Sequence, residues 1–316
     1  MSLFTSLHYL VALHQHKHFG RAAAACHVTQ PALSNAIRAL EAEFGTSIVK
    51  RGRAFESFTP EGERIFLTAQ RMLREQELLL QSLRSTDGDP AGRLTMAAVP
   101  SVMPIAARFA GLLQKRHKRL SLSLRSMSSL ELEAGLEDLS LDLAWGYIER
   151  IQDRTTTLAA QWQYAEHYFL LQRAESPLPH GLQMRAGSST WAQAAAQPLC
   201  LLSPDMHNRA IVNQAFGRAG VAVQPVIETN SILTLGLTVM VGDVASVLPG
   251  ALVSVLQAQG ELQATPLAAP EVVTPIGIMY ARSASHSRAL DAALRMAEDP
   301  QWQAEVRAHS GLLQAG

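Results

Sequence analysis

Residues 19–45 read FGRAAAACHVTQPALSNAIRALEAEFG, and this run decides how the first part of the chain folds. The Ala-rich half, Gly20 to Cys26, favours a short helix that ends near His27 and Val28. Thr29 then supplies a capping oxygen for a second helix, and Pro31 lies in its first turn, where a missing N–H removes nothing. Leu33, Ile37, Leu40 and Phe44 recur along one face, and Gly45 closes the helix. On the opposite face Gln30, Ser34, Arg38 and Glu41 fall at i, i+4, i+8 and i+11 with Asn35 beside them, a strip of groups that can hydrogen-bond base edges.

Working outward, Leu3 to Gln15 places Phe4, Leu7, Leu10, Val11 and His14 at helical spacing, so an amphipathic helix precedes the run. Three short helices with a tight connection between the second and third make a helix-turn-helix. Downstream, Ser47 to Phe58 carries Lys50, Arg51 and Arg53 around Gly52, as expected of a β-hairpin wing lying along phosphates. Thr59 and Pro60 then open a long helix to about Ser85. Its Phe66, Ala69, Leu73, Gln76, Leu80 and Leu83 alternate three and four residues apart, a coiled-coil seam that calls for a partner chain. The breaker-rich stretch 86–92 marks a domain boundary.

Beyond it, short apolar runs alternate with helices, which predicts α/β layers around a parallel sheet. Strands are expected at Leu94–Val99, Leu120–Arg125, Leu141–Gly146, Tyr168–Gln172, Leu199–Leu202, Val226–Glu228, Ala245–Leu248 and Ile276–Ala281.

The chain has 316 residues, 47% of them apolar and 17% charged, with a formal net charge of zero, which is the composition of an ordinary globular protein. The charge is uneven: residues 1–60 hold six Lys/Arg against three Glu, so a basic module sits on a neutral body. The apolar start of the chain is interrupted by His8, His14, His16, Lys17 and His18, and no stretch reaches the roughly 18 apolar residues of a membrane span, which predicts a cytoplasmic protein. Cys26 and Cys200 lack a second Cys at redox or metal spacing and read as buried small hydrophobes. His14 and His18 stand at i, i+4 but have no carboxylate or thiol nearby, so a solvated helix end outweighs a metal site. Nucleophile-elbow, phosphate-loop, His-Glu-x-x-His and dinucleotide motifs are missing, which argues against an enzyme.

The run from Phe19 to Glu41, followed by Phe58-Thr-Pro-Glu-Gly-Glu, resembles the LysR-type transcriptional regulators, and the resemblance extends over essentially the whole chain. Ile48-Val49 replaces that family's usual Leu-Phe before the wing. The resemblance implies a winged helix-turn-helix (residues 1–58), a dimerising linker helix (59–87) and an effector domain (88–316). The last has two Rossmann-like α/β subdomains arranged as in periplasmic binding proteins, one at about 93–162 and 266–300 and the other at about 163–265. It also implies a homodimer or homotetramer on operator DNA, with RNA polymerase as a further partner. Arg21, Thr29, Gln30, Pro31, Ser34, Asn35, Arg38, Lys50, Arg51 and Arg53 are the residues expected at DNA.

The same resemblance places a small-molecule effector, and no other cofactor, in the cleft between the subdomains. Pro100, Ser101 and Val102 after the first strand and Ser128 and Ser129 after the second present hydroxyls and free N–H groups, which suit a small anion. Tyr147 stands where some aromatic-acid-sensing members carry Arg. Asp205, Met206, His207 and Asn230 complete the expected ring. The segments 201–208 and 228–231 resemble LysR-type proteins associated with formate metabolism, making formate or another small carboxylate the expected effector. The competing reading, a transport-type binding protein, leaves the DNA-binding module unexplained.

Overall fold

A computed structural model describes residues 2–51, 55–84, 90–152, 157–176, 181–256, 259–282 and 286–311. The chain divides into two compact units at residues 88 and 89.

The first unit starts with α1 (Leu3–His16), α2 (Phe19–Ala25) and α3 (Gln30–Phe44). Each begins on a side-chain cap: Ser2 Oγ accepts from Thr5 N, His18 Nδ1 from Gly20 N and Arg21 N, and Thr29 Oγ1 from Ala32 N. β1 (Val49–Arg51) and β2 (Phe55–Phe58) pair antiparallel as the wing, and α4 (Pro60–Arg84) follows. Leu7, Leu10, Leu13, Leu33, Ile37, Leu40, Ile48 and Phe58 form the core. Leu13 takes the buried place expected for Val11, and Phe44 is exposed, because α3's last turn runs past the core. At Gly62 a Cβ would stand 2.1 Å from Ile48 O, so only glycine lets the first turn of α4 close on the start of the wing.

The seam on α4 needs correction. Phe66 and Ala69 are buried in the core of their own unit and Leu73 packs against it, since α1 lies along this half of α4. Only in the later stretch do the apolar side chains, Leu79, Leu80 and Leu83, stand exposed.

The second unit has two lobes. The first begins with β3 (Gly92–Ala98), a single 3-10 turn at Pro100–Val102, α5 (Met103–Arg116), β4 (Leu120–Ser126) and α6 (Ser129–Glu137). β5 (Leu143–Tyr147), α7 (Glu149–Gln152) and β6 (Leu158–Glu166) complete its first pass. The chain crosses at residue 167 into the second lobe: β7 (Tyr168–Arg173), β8 (Gln183–Met184), β9 (Ser189–Thr190), α8 (Trp191–Ala195), β10 (Cys200–Leu202) and α9 (His207–Arg218). There follow β11 (Ile227–Thr229), α10 (Ile232–Val241), β12 (Ser246–Pro249), α11 (Gly250–Val255) and β13 (Leu262–Ala268). Residues 269–273 cross back to β14 (Thr274–Ala281), α12 (Arg288–Glu298) and α13 (Pro300–His309).

The two five-stranded sheets are mixed rather than parallel. In the order β4-β3-β5-β14-β6, β3 pairs parallel with β4 and β5, whereas β14 runs antiparallel to β5 and β6. The reason is topological: β6 leaves the lobe at the same end as the tips of β3 and β5, so the returning β14 enters there and must point the other way. In the second lobe β7 pairs antiparallel with β12 and β13, and β10 parallel with β11. Phe109, Trp145 and Trp302 meet edge to face at 4.9–5.7 Å in the first lobe's core. The second lobe's sheet is covered on both sides, by α8 and α9 on one and by α10 and α11 on the other.

Candidate DNA-binding face and effector cavity

On α3, Gln30, Pro31, Asn35 and Arg38 are exposed and Ser34 is half-buried. Arg38 Nη1 donates to Asn35 Oδ1 at 3.2 Å, which holds the two side chains side by side. Thr29 is spent as the cap. Glu41 does not belong to this strip: its Oε1 accepts from the backbone of Ile48 at 3.0 Å and Val49 at 3.3 Å, tying the end of α3 to the wing. Arg21 is exposed and donates to His16 O at 3.1 Å. Lys50 is exposed on β1, Arg51 ends that strand, and Arg53 lies outside the described residues. His14 stacks on Phe66 at 3.6 Å with Nε2 3.3 Å from Glu63 Oε2, so it and the capping His18 do separate structural work. No cluster of metal-ligating side chains occurs among the described residues.

In the second unit the tips of β3, β5 and β10 and the starts of α6 and α9 enclose a cavity of about 20 Å³. Pro100, Ser101, Ser128, Ser129, Tyr147, Met206 and His207 line it, as do Val99, Leu202 and Asn208, which sequence reasoning missed. Val99 and Leu202 are the residues where their strands reach the cavity, and Asn208 follows His207 in α9's first turn; strand-end and helix-start positions were the available signal. Three expected residues stay outside. Val102 is fully buried in the first lobe's core, and Asp205 and Asn230 are exposed in the second lobe.

Ser101 does not cap a helix. Its Oγ lies 2.9 Å from Tyr147 Oη, and Asn208 Nδ2 donates to both Tyr147 and Tyr168 hydroxyls at 3.4 Å. This chain of hydroxyls joins the lobes across the cavity floor. Ser128 is a capping-box residue: Glu131 N donates to its Oγ at 3.3 Å while Ser128 N donates to Glu131 Oε2 at 2.7 Å. The backbone bond to Ser128 and then its hydroxyl hold Glu131's carboxyl below its ordinary value. Two lining atoms, Ser129 Oγ and His207 Nε2, are buried with no hydrogen-bond partner among the described residues. Burial first, and Arg150 next, push the His207 ring below its ordinary value, so it is neutral at pH 7.

A winged helix-turn-helix joined to a two-lobed binding unit defines a class, that of DNA-binding regulators with an effector domain. Residues 4–63 match the bacterial regulatory helix-turn-helix protein of the lysR family, and residues 87–300 match the LysR substrate binding domain. The chain therefore belongs to the LysR family of transcription regulators, which are not enzymes. Among curated relatives, the SDS degradation transcriptional activation protein of a Pseudomonas strain is 30% identical over 258 residues, 79% of each chain. The hydrogen peroxide-inducible genes activator of Pectobacterium carotovorum is 34% identical over 139 residues, 44% of this chain and 46% of that one, so the match spans about half of that relative. Of solved structures, a cysteine-substituted full-length OxyR from Pseudomonas aeruginosa superposes with TM-score 0.70 at 24% identity, covering 93% of this chain and 97% of that one. CbnR bound to its target DNA gives 0.63 at 17%, covering 94% and 99%. These two likenesses carry the fold. No helix among the described residues is long and apolar enough to cross a membrane.

Proposed function

We propose that this chain regulates transcription in the cytoplasm as an oligomer paired through the later half of α4, and that a very small, uncharged polar molecule in the cavity modulates its hold on operator DNA. In this reading residues 1–58 bind DNA, 59–87 link and pair, and 88–316 hold the effector. Gln30, Ser34, Asn35 and Arg38 read bases, while Arg21, Lys50, Arg51 and Arg53 position phosphates.

The observation that carries the effector reading is the pairing of a small, narrow cavity with two orphaned polar atoms. A volume of about 20 Å³ accommodates one or two water-sized molecules, or a ligand of roughly two or three heavy atoms. Buried polar atoms without partners cost free energy that such a ligand recovers. Size alone favours formate over any aromatic acid. Charge weighs against it: no Lys or Arg lines the cavity, His207 is neutral, and the Glu131 carboxylate already occupies the anion-attracting start of α6. By contrast, α9 begins without a side-chain cap. A donor and acceptor such as formamide or hydrogen peroxide fits better, and several relatives are named as peroxide-inducible gene activators. Thiolate chemistry is not part of this reading, because Cys200 is buried in β10 with its thiol pushed up by burial, and it is the effector domain's only cysteine.

The test is thermal unfolding with formamide, hydrogen peroxide and formate in turn. At best about −1.5 kcal/mol per heavy atom, a three-atom ligand binds no tighter than roughly 0.5 mM, so concentrations of about 10 mM are needed. Such a ligand raises stability by about 2 kcal/mol. A saturable rise with an uncharged compound, reversed by dialysis and lost in Ser129→Ala, is expected. A rise with formate alone reverses the charge assignment, and no rise with any of the three removes the cavity as the effector site.

A further inference from the structure

Glu166 ends β6 one residue before the chain crosses between the lobes, and its register partner is Thr274, the first residue after the return crossing. The carboxyl therefore sits where both connections pass. It is fully buried, and its only described hydrogen bond is from Tyr164 Oη to Oε1 at 3.3 Å, while Oε2 has none. No cation contacts it among the described residues. Tyr147 on β5, Tyr164 on β6 and Tyr168 on β7 surround it, and burial pushes all three phenols up, so they stay neutral. Further out, Glu149 on α7 acts on Tyr147 and Tyr168, and Arg150 is engaged by Glu133 at 2.6 Å. The adjoining His167 has Nδ1 4.0 Å from Glu271 Oε1, and His207 on α9 packs on Tyr147 with ring centres 4.7 Å apart.

Tyr168 Oη also meets Thr274 Oγ1 at 3.3 Å, so the hydroxyl chain Ser101–Tyr147–Asn208–Tyr168–Thr274 ends beside this acid. We propose that Glu166 is a proton-bound latch at the hinge: in its neutral form it holds the lobes as they stand here, and loss of its proton loosens both crossings and the cavity floor. An isolated buried carboxylate is far costlier than a buried carboxylic acid, and water reaches the former only if the crossings part. Burial pushes the carboxyl up to about 8, with Tyr164 opposing, so release falls in mildly alkaline solution. The inference concerns regulation of the cavity proposed above, but it is tested without ligand or DNA, so it can fail while the effector reading stands.

Amide hydrogen exchange of the full chain, corrected for intrinsic rates, is compared at about pH 6.5 and about pH 9. Protection of segments 164–170 and 274–278 should fall about thirtyfold relative to α5, following one proton released per opening, and Glu166→Gln should keep it at both values. Infrared spectra should show a protonated-carboxyl stretch at pH 6.5 that is lost by pH 9 and is absent in Glu166→Gln. Equal protection in the wild type at both values, equal loss in Glu166→Gln, or no protonated carboxyl at pH 6.5 overturns the proposal.

Discussion

Replacing Glu166 by Gln should abolish a pH dependence of stability whose size follows from its surroundings. The carboxyl rises from 4.5 to about 8 on folding, so the folded chain binds a proton that the unfolded chain has already released. Stability therefore falls as pH rises through this interval, by about 1.4 kcal/mol per unit at most. Between about pH 6.5 and about pH 8.5 the loss is about 2 kcal/mol, after allowing for the ionisation of folded Glu166 near the upper end. For a unit of this size that is a fall of roughly 4–8 °C in Tm. The window is chosen to isolate Glu166: His207, held neutral by burial, adds a dependence of opposite sign that lies mainly below its ordinary value and fades over the first pH unit of the window, and the Cys26 and Cys200 thiols, ordinarily at 9.0, ionise in the unfolded chain mostly above the window. Differential scanning calorimetry across the window should show the fall in the wild type and a flat profile in Glu166→Gln, with the variant the more stable of the two at pH 8.5. A flat wild-type profile, or the same slope in both proteins, refutes the reasoning.

Three other outcomes follow from the first unit. Arg38→Ala should weaken binding to a selected operator by roughly 5- to 150-fold, the value of one base contact, with a smaller loss on random duplex; equal losses in anisotropy titrations would assign Arg38 to phosphate. Glu41→Ala leaves the Ile48 and Val49 amides without their carboxylate acceptor and should lower the unit's stability in urea by roughly 1–3 kcal/mol, with Glu41→Gln recovering part of it. Leu80→Asp should shift sedimentation toward monomer while leaving the helix-turn-helix folded, since Leu80 is exposed; unchanged self-association would remove this half of α4 as the pairing surface.

Local chemistry made the first unit legible in the sequence alone. Thr29, Pro31 and Gly45 fix where α3 begins and ends, Thr59 and Pro60 fix the start of α4, and both act within a turn of themselves. The strand tips in the second unit were readable for the same reason, which is why Ser101, Ser129, Tyr147 and His207 stand out from residue order alone. Tertiary structure decided what periodicity cannot carry. Phe66 and Ala69 have the spacing of a seam but are claimed by the core of their own unit. Glu41 has the spacing of a base-reading strip but turns back to the wing, because two backbone amides from a later segment arrive beside it. The antiparallel return of β14 depends on which end of its lobe β6 leaves from. Glu166 in the sequence is an ordinary acid in an alternating strand, and only the convergence of two crossings and three tyrosines, assembled from residues more than a hundred positions apart, turns it into a buried proton site.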